Sequence, residues 1–210
     1  MNASEDFLAE VEELDGPLSE SLRILLESTV TDHADRHTAD IDQADSEARC
    51  QRYGLQLTKP LRRRRIFWGS LIADDSWHVL SLAATEYRGL FDTIVFVESN
   101  ATQINVPRTM RFPPDSPRKR LVTSPLLWGN ETRVHVDYYM EDDTGGNGLG
   151  RENRQRSQIF KRWKENGMTY EDIGFLSDVD EVATRDFLLA LQVCEVPEFQ
   201  PTGKDSQGND

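Results

Sequence analysis

The chain has 210 residues, 37% of them hydrophobic, which is enough for one domain of ordinary size with a buried core. Its net charge is −13, but residues 1–50 carry 14 acidic residues against three arginines, which leaves only −2 for the rest. This balance excludes a general attraction to nucleic acid, and no partner of that class is expected. There is no apolar run long enough for a transmembrane helix and no signal-peptide pattern.

Residues 1–60 are predicted to form an acidic, largely disordered leader, because residues 31–48 contain few large apolar side chains. The folded domain is expected over residues 61–199, and the polar residues 200–210 are expected to form a disordered tail. The two cysteines, Cys50 and Cys194, are too few for a disulfide framework, and the sequence leaves open whether they pair or stay free.

The domain begins with the pattern of a βαβ unit. Residues 66–72 are mostly apolar and predict a buried strand, after which Asp74, Asp75 and Ser76 give a helix N-cap signal. Apolar residues then recur at helical spacing up to Leu90, and residues 91–98 predict a second strand. Strand, helix and strand within some thirty residues predict two parallel strands and an α/β fold.

Polar side chains follow the second strand at Glu98, Ser99 and Asn100. Ligands of open α/β sheets bind beyond the carboxyl ends of the strands, so these residues are candidates for contacts to sugar or nucleoside hydroxyls. A capped strand end is the alternative interpretation. Residues 107–129 contain five prolines and predict a long loop, of a length that is usually functional or disordered.

The second half of the domain repeats the alternation of strands and helices. Residues 132–139 predict a third strand, and residues 151–165 predict a polar helix that carries Arg151, Arg154 and Arg156 in its first half. Residues 172–181, an apolar run that ends in three carboxylates, predict a fourth strand, and residues 184–193 predict a last helix.

Asp178 and Asp180 are the candidate metal ligands. If the fourth strand continues through them, they share one face, because side chains two apart in a strand point the same way. Carboxylates at this spacing suit Mn²⁺ or Mg²⁺ bound together with a substrate diphosphate, which the arginines of the polar helix, Arg151, Arg154 and Arg156, could clamp. The alternatives are a loop start or helix cap for the aspartates and a solvated helix face for the arginines.

Four segments, residues 65–69, 97–102, 151–156 and 176–181, resemble glycosyltransferase family 17 in this order, and the likeness runs from about Arg65 to Phe199. The resemblance implies a GT-A-like nucleotide-sugar-binding fold with a mostly parallel sheet. It implies a metal-dependent, inverting transfer of N-acetylglucosamine from UDP-GlcNAc to a mannose of an N-glycan, forming the β-1,4 linkage of the bisecting residue. By the same resemblance, Asp178 and Asp180 bind Mn or Mg, Glu98 lies near the donor nucleoside, and Arg151 or Arg156 lies near the phosphates.

The chain also departs from the family pattern. The resemblance implies residence in the Golgi or another endomembrane lumen, but the N-terminal membrane anchor of the family is not in this sequence. The family's catalytic region continues well past the acidic motif, so the fold is expected to be incomplete at the C-terminus. A general base is not identified, because Asp186, Glu195 and Glu198 do not occupy an evident base position.

Two other functions fit the same residues. A haloacid-dehalogenase-like phosphotransferase would use Asp178 as nucleophile and Asp180 as acid, although that chemistry needs a lysine and further carboxylates downstream. A non-catalytic, truncated interaction protein would combine an acidic arm with a degenerate α/β domain.

Overall fold

A four-stranded parallel sheet lies at the centre of the chain, in a computed structural model that describes residues 3–27, 42–104, 106–140 and 148–196. The elements in chain order are α1 (Ala3–Asp15), α2 (Glu20–Glu27), α3 (Gln43–Arg52), β1 (Gln56–Leu57), β2 (Ile66–Ile72), α4 (Trp77–Tyr87), β3 (Thr93–Ser99), α5 (Pro117–Val122), α6 (Pro125–Trp128), β4 (Arg133–Tyr139), α7 (Gly148–Glu165), β5 (Ile173–Leu176), α8 (Arg185–Val193) and β6 (Cys194–Glu195).

The strand order β4-β3-β2-β5 shows how the chain builds the sheet. It starts at β2, adds β3 and then β4 on one side, and returns through α7 to place β5 on the other side of β2. All three pairings are parallel, which confirms the predicted α/β class. The direction of winding reverses between β2 and β5, and such a switch point opens a crevice at the carboxyl ends of the strands.

Alternate residues of the buried strands face two separate hydrophobic layers. Trp68, Ile94 and Phe96 face the larger layer, which contains α4, α6 and the N-terminal helices. Phe67, Val95, Val97, Ile159 and Trp163 form the smaller layer, in which α7 covers the opposite face. The continuous apolar strands of the sequence therefore reflect burial on both faces, as expected for a parallel sheet.

Two strand glycines allow α7 to pack closely against the sheet. A Cβ atom added at Gly69 would lie 2.1 Å from Cγ2 of Ile159 and 2.9 Å from the Trp163 ring. A Cβ atom at Gly174 would lie 2.7 Å from the same ring. The Trp163 indole N–H donates to the carbonyl of Trp68 at 3.2 Å, which satisfies its polar atom inside this layer.

The N-terminal helices correct the prediction of a largely disordered leader over residues 1–60. Within the described ranges, this segment forms α1, α2 and α3, and Val11, Leu22 and Leu26 are buried in the main core. Its acidic residues pair with arginines, since Glu12 contacts Arg23 and Asp15 contacts Arg118. The predicted tail at residues 200–210 lies outside the described residues.

The predicted loop at residues 107–129 contains two short helices, which corrects that prediction as well. Ser116 and Ser124 accept hydrogen bonds as N-caps, and Pro117 and Pro125 occupy the first helical positions. Proline is favoured at this position because its missing N–H would have no intrahelical partner. These serine–proline pairs were the sequence signal for the two helices.

A disulfide between Cys50 and Cys194 joins α3 to β6 across 144 residues of sequence. The strand pairing of β1 with β6 lies beside it, and Asp186 of α8 accepts hydrogen bonds from Arg49, Arg52 and Tyr53. The sequence left the pairing open, and the structure shows that the cysteines are bonded. This link ties the last described elements to the N-terminal half of the chain.

We expect Gly69→Ala to lower the free energy of unfolding by about 1–3 kcal/mol, because the new methyl group overlaps Ile159 and forces α7 away from the sheet. Urea denaturation followed by circular dichroism measures the change. Ser157→Ala, on the exposed side of α7, is the control and should have little effect. Equal stability of the Gly69 variant and the wild type would show that this contact is not close.

Candidate active site

A cleft of about 550 Å³ opens at the carboxyl ends of β2, β3 and β5. It lies at the switch point of the sheet, where α/β proteins bind their ligands. Its lining residues come from the loops that follow these strands and from α7: Leu71, Ile72, Ala73, Asp75, Val97, Ser99, Ala101, Thr102, Gln103, Ile104, Arg108, Gln155, Asp178, Val179 and Asp180.

Asp178 and Asp180 both line this cleft, but in a turn and not in a strand as predicted. Strand β5 ends at Leu176, and the chain then turns, with the Glu181 N–H donating to the Asp178 carbonyl at 3.1 Å. The Asp178 N–H donates to a carboxylate oxygen of Glu181, also at 3.1 Å. Buried Val179 anchors the turn between the two aspartates. The expected strand face is therefore replaced by a hydrogen-bonded turn that still directs both residues to one cleft.

The Asp178 carboxylate has both a cation and several carboxylates as neighbours. Nη2 of Arg156 lies 3.2 Å from Oδ1 of Asp178 and 2.7 Å from a carboxylate oxygen of Glu152. Partial burial raises the pKa of Asp178, Arg156 opposes that rise, and Glu181, Glu152 and Asp180 add to it. Asp178 therefore binds a proton more readily than an ordinary aspartate, and a bound cation would relieve the same repulsion.

Glu98 does not line the cleft. Residues alternate along β3, so Val97 and Ser99 face the cleft while Glu98 points into the opposite layer and is only 1% exposed. Its two carboxylate oxygens accept the backbone N–H groups of Arg111 and Phe112 at 2.6 and 3.0 Å. Burial raises the pKa of Glu98, and these two hydrogen bonds oppose the rise. The carboxylate therefore anchors the loop that follows β3.

Of the two residues after Glu98, only Ser99 lines the cleft. Its hydroxyl accepts the Ala101 N–H at 3.2 Å and so shapes the turn after β3. Asn100 contributes its backbone, since its N–H donates to the Tyr139 carbonyl and its carbonyl accepts the Arg108 N–H. Of the three predicted ligands in this segment, Glu98 is buried away from the cleft, Ser99 lines the cleft, and Asn100 holds the loop through its backbone.

Arg151 and Arg156, two of the predicted arginines of α7, contribute to the cleft in different ways. Arg151 is 1% exposed, and its Nη1 donates to the Thr102 carbonyl at 3.1 Å. Glu152 accepts a hydrogen bond from Gln103 in the same loop. Arg151 therefore positions the loop that lines the cleft, whereas Arg156 reaches the cleft through its contact with Asp178.

Asp75, Gln155 and Arg108 are among the lining residues that the sequence did not identify. Asp75 was read as part of a helix cap, but Ser76 is the cap and the Asp75 carboxylate accepts the Ala73 N–H at 2.6 Å. Gln155 was one polar residue among many in α7, and Arg108 lay in the proline-rich loop. For Gln155 the signal was its spacing of four residues from Arg151 on the same helix face. For Arg108 no local signal exists.

The described part of the chain holds no group of three or more histidine, cysteine or acidic side chains suited to a metal ion. The aspartate turn provides two carboxylates at one cleft. Mg²⁺ is usually held by one or two protein carboxylates, with substrate phosphates and water as the other ligands. A two-aspartate site therefore fits an ion that arrives with a diphosphate.

The downstream carboxylates considered as a general base do not reach the cleft where the structure describes them. Asp186 is engaged by Arg49, Arg52 and Tyr53, and Glu195 lies in β6 next to the disulfide. Glu198 lies outside the described residues.

The family model for Glycosyltransferase family 17 matches residues 15–200. The chain belongs to glycosyltransferase family 17. Membership confirms the resemblance, supports a transferase, and agrees with a GT-A-like α/β fold for the parallel sheet. The match begins at Asp15 and so includes α2 and α3, which lie before the domain start predicted at residue 61.

Comparisons with curated proteins and with solved structures gave no match. The family suggests a nucleotide-sugar donor and a glycan acceptor. Among the described residues, no helix has the length and apolar character needed to cross a membrane.

We expect Glu98→Gln to destabilise the fold by about 1–3 kcal/mol, because the amide nitrogen cannot accept the backbone N–H that a carboxylate oxygen accepts now. The binding of a nucleotide sugar to the folded variant should stay unchanged, since Glu98 is not at the cleft. Denaturant titration and calorimetry measure the two quantities, with exposed Glu131→Gln as the control. Lost binding at unchanged stability would instead make Glu98 a ligand.

Proposed function

We propose that this chain transfers N-acetylglucosamine from UDP-GlcNAc to a mannose of an N-glycan, with inversion and formation of a β-1,4 linkage. The observation that carries the proposal is the turn at Asp178 and Asp180, which lies at the switch point of the sheet and shares one cleft with the ends of β2 and β3. The identity of the donor sugar and acceptor follows the resemblance to the family, and the cleft supports the class of donor.

In this proposal, Asp178 and Asp180 hold Mn²⁺ or Mg²⁺ together with the donor diphosphate. The bound ion would act as a Lewis acid for the UDP leaving group. Arg156 contacts Asp178 and is close enough to the cleft edge to contribute positive charge. Its contact with Glu152 keeps the guanidinium at that edge.

The other side chains of the cleft are suited to the hydroxyl groups of a nucleoside and a sugar. Asp75 offers carboxylate acceptors, Gln155 offers an amide donor and acceptor, and Ser99 lies at the end of β3. Arg151 holds the intervening loop by the Thr102 carbonyl, so that the lining is in place before the donor binds. A preformed cleft reduces the conformational entropy that binding would otherwise cost.

The reaction needs little covalent chemistry from these residues. The acceptor oxygen forms a bond to the anomeric carbon, the bond from that carbon to the phosphate oxygen breaks, and the acceptor proton passes to a base. The bond electrons leave with UDP, so negative charge grows on the diphosphate. Positive charge placed there lowers the barrier, because it binds the transition state more strongly than the donor.

The disulfide supports a location in the secretory pathway, and we include the Golgi or another endomembrane lumen in the proposal. Disulfides persist in oxidising compartments and are rare in the cytosol. Cys50 and Cys194 are both buried and bonded to each other. The N-glycan acceptors proposed here are also found in that lumen.

We expect Asp180→Asn and Asp178→Asn each to weaken Mn²⁺-dependent binding of UDP-GlcNAc at least about 10-fold, because each removes a charged ligand of the ion. Calorimetry with and without EDTA measures the effect. Exposed Asp45→Asn changes the net charge equally and should bind like the wild type. Transfer to a biantennary N-glycan, with the linkage read by NMR, tests the complete reaction. An affinity for UDP-GlcNAc that is unchanged by EDTA and by both aspartate substitutions would contradict the metal site.

We expect the affinity for Mn²⁺ and UDP to fall on acidification as Asp178 is protonated, because the ion binds the ionised carboxylate. The raised pKa of Asp178 places this loss at higher pH than for an ordinary aspartate, whose pKa is about 3.9. Arg156→Gln removes a charge that lowers this pKa and should move the midpoint to still higher pH. Calorimetry from about pH 4 to about pH 8 measures both midpoints. Identical midpoints would show that Arg156 does not act on Asp178.

A further inference from the structure

We propose that Arg108 is a cationic ligand of the donor diphosphate, at the ends of β2 and β3 in the cleft that the aspartate turn also lines. This inference rests on the proposed function, and it identifies one residue of the binding site that the sequence did not reveal. It is carried by the position of the guanidinium, by its lack of a carboxylate partner, and by the charges around it.

The guanidinium of Arg108 bridges the ends of two parallel strands. Its Nε donates to the Ser99 carbonyl at 2.8 Å, and its Nη2 donates to the Ile72 carbonyl at 3.2 Å. Its backbone N–H donates to the Asn100 carbonyl at 2.9 Å. These contacts hold both the main chain and the side chain, and they leave Nη1 without a hydrogen-bond partner among the residues that the structure describes.

Two other arginines near the sheet differ from Arg108 in their partners. Arg65 contacts Asp172, and Arg162 contacts Asp137, so their charges are neutralised within the fold. Within the described ranges, Arg108 has no carboxylate at salt-bridge distance, and it interacts with buried Glu98 only at longer range, where its charge opposes the rise in the pKa of Glu98. A partly buried guanidinium that contacts only carbonyl oxygens retains its charge, and its planar fork of N–H donors is suited to phosphate oxygens.

The charges of the cleft favour the same conclusion. Its described lining contains three carboxylates, at Asp75, Asp178 and Asp180, and Arg108 is the one cationic side chain among those lining residues. A metal ion between the aspartates would bind one side of a diphosphate, which leaves the other side in need of a cation. The held guanidinium supplies that charge with little loss of side-chain entropy, because its rotamer is already restricted.

A structural role is the competing explanation, because Arg108 also ties β2 to β3. The two roles predict different ligand dependence. A phosphate ligand contributes to the binding of UDP and pyrophosphate but not to that of uridine, whereas a purely structural residue affects all ligands through the shape of the cleft.

The test is calorimetry of the full chain with Mn²⁺ and three probes: UDP, uridine and inorganic pyrophosphate. We expect Arg108→Gln to weaken UDP and pyrophosphate binding about 10-fold or more and to leave uridine binding unchanged. Arg108→Lys should recover part of the lost affinity, because lysine restores the positive charge but not the paired N–H donors of the guanidinium. Arg133→Gln, an equal charge change at the opposite end of the sheet, is the control. Thermal melts of every variant check the fold.

An equal loss for UDP and uridine, or no loss for UDP, would overturn the role of Arg108. Wild-type protein that binds pyrophosphate but not UDP would overturn the proposed donor while still testing Arg108 through pyrophosphate. Wild-type protein that binds neither anion in the presence of Mn²⁺ would overturn both proposals.

Discussion

The contact between α7 and the two sheet glycines determines where the cleft lies. Helix α7 carries the chain from β4, at one edge of the sheet, across to β5 on the far side of β2. It can cross so closely because Gly69 and Gly174 present no side chain to Ile159 and Trp163. The crossing places β5 beside β2 and creates the switch point. The acidic turn after β5 thus arrives next to strand ends that precede it in sequence by about a hundred residues.

The sequence predicted the sheet and the meeting of strand ends, because buried parallel strands appear as continuous apolar runs. It did not predict which side chain of each strand end faces the cleft. A run that is apolar on both faces carries no alternation from which to assign faces, so Glu98 and Ser99 were equally good candidates. Only the tertiary position of α7 decides that Ser99 faces the cleft and Glu98 faces the other layer.

The parts of the fold that the sequence did not predict depend on contacts between residues that lie far apart along the chain. The N-terminal acidity suggested disorder, yet Glu10, Glu12 and Asp15 pair with arginines. The partners of Glu10 and Asp15 lie in α5, more than a hundred residues away. The contacts of Arg108 could not be predicted for a similar reason. Its partners are backbone carbonyls, which every residue has, so no pattern of residue types identifies them. Short-range sequence patterns predict helices and strands, whereas the partners of charged side chains are determined only when those helices and strands pack together.

The balance of charge in the cleft gives a physical reason for a divalent ion in the proposed reaction. Asp75, Asp178 and Asp180 outnumber Arg108 by two charges, and a nucleotide sugar brings one negative charge on each phosphate. Two like charges at about 5 Å repel by roughly 3 kcal/mol at an effective dielectric constant of about 20. Such repulsion would prevent the donor from binding unless a cation accompanied it. Arg108 in the lining and Arg156 at the cleft edge do not together balance the three carboxylates and a diphosphate, so a divalent ion is the simplest addition that lets a diphosphate bind beside the aspartate turn.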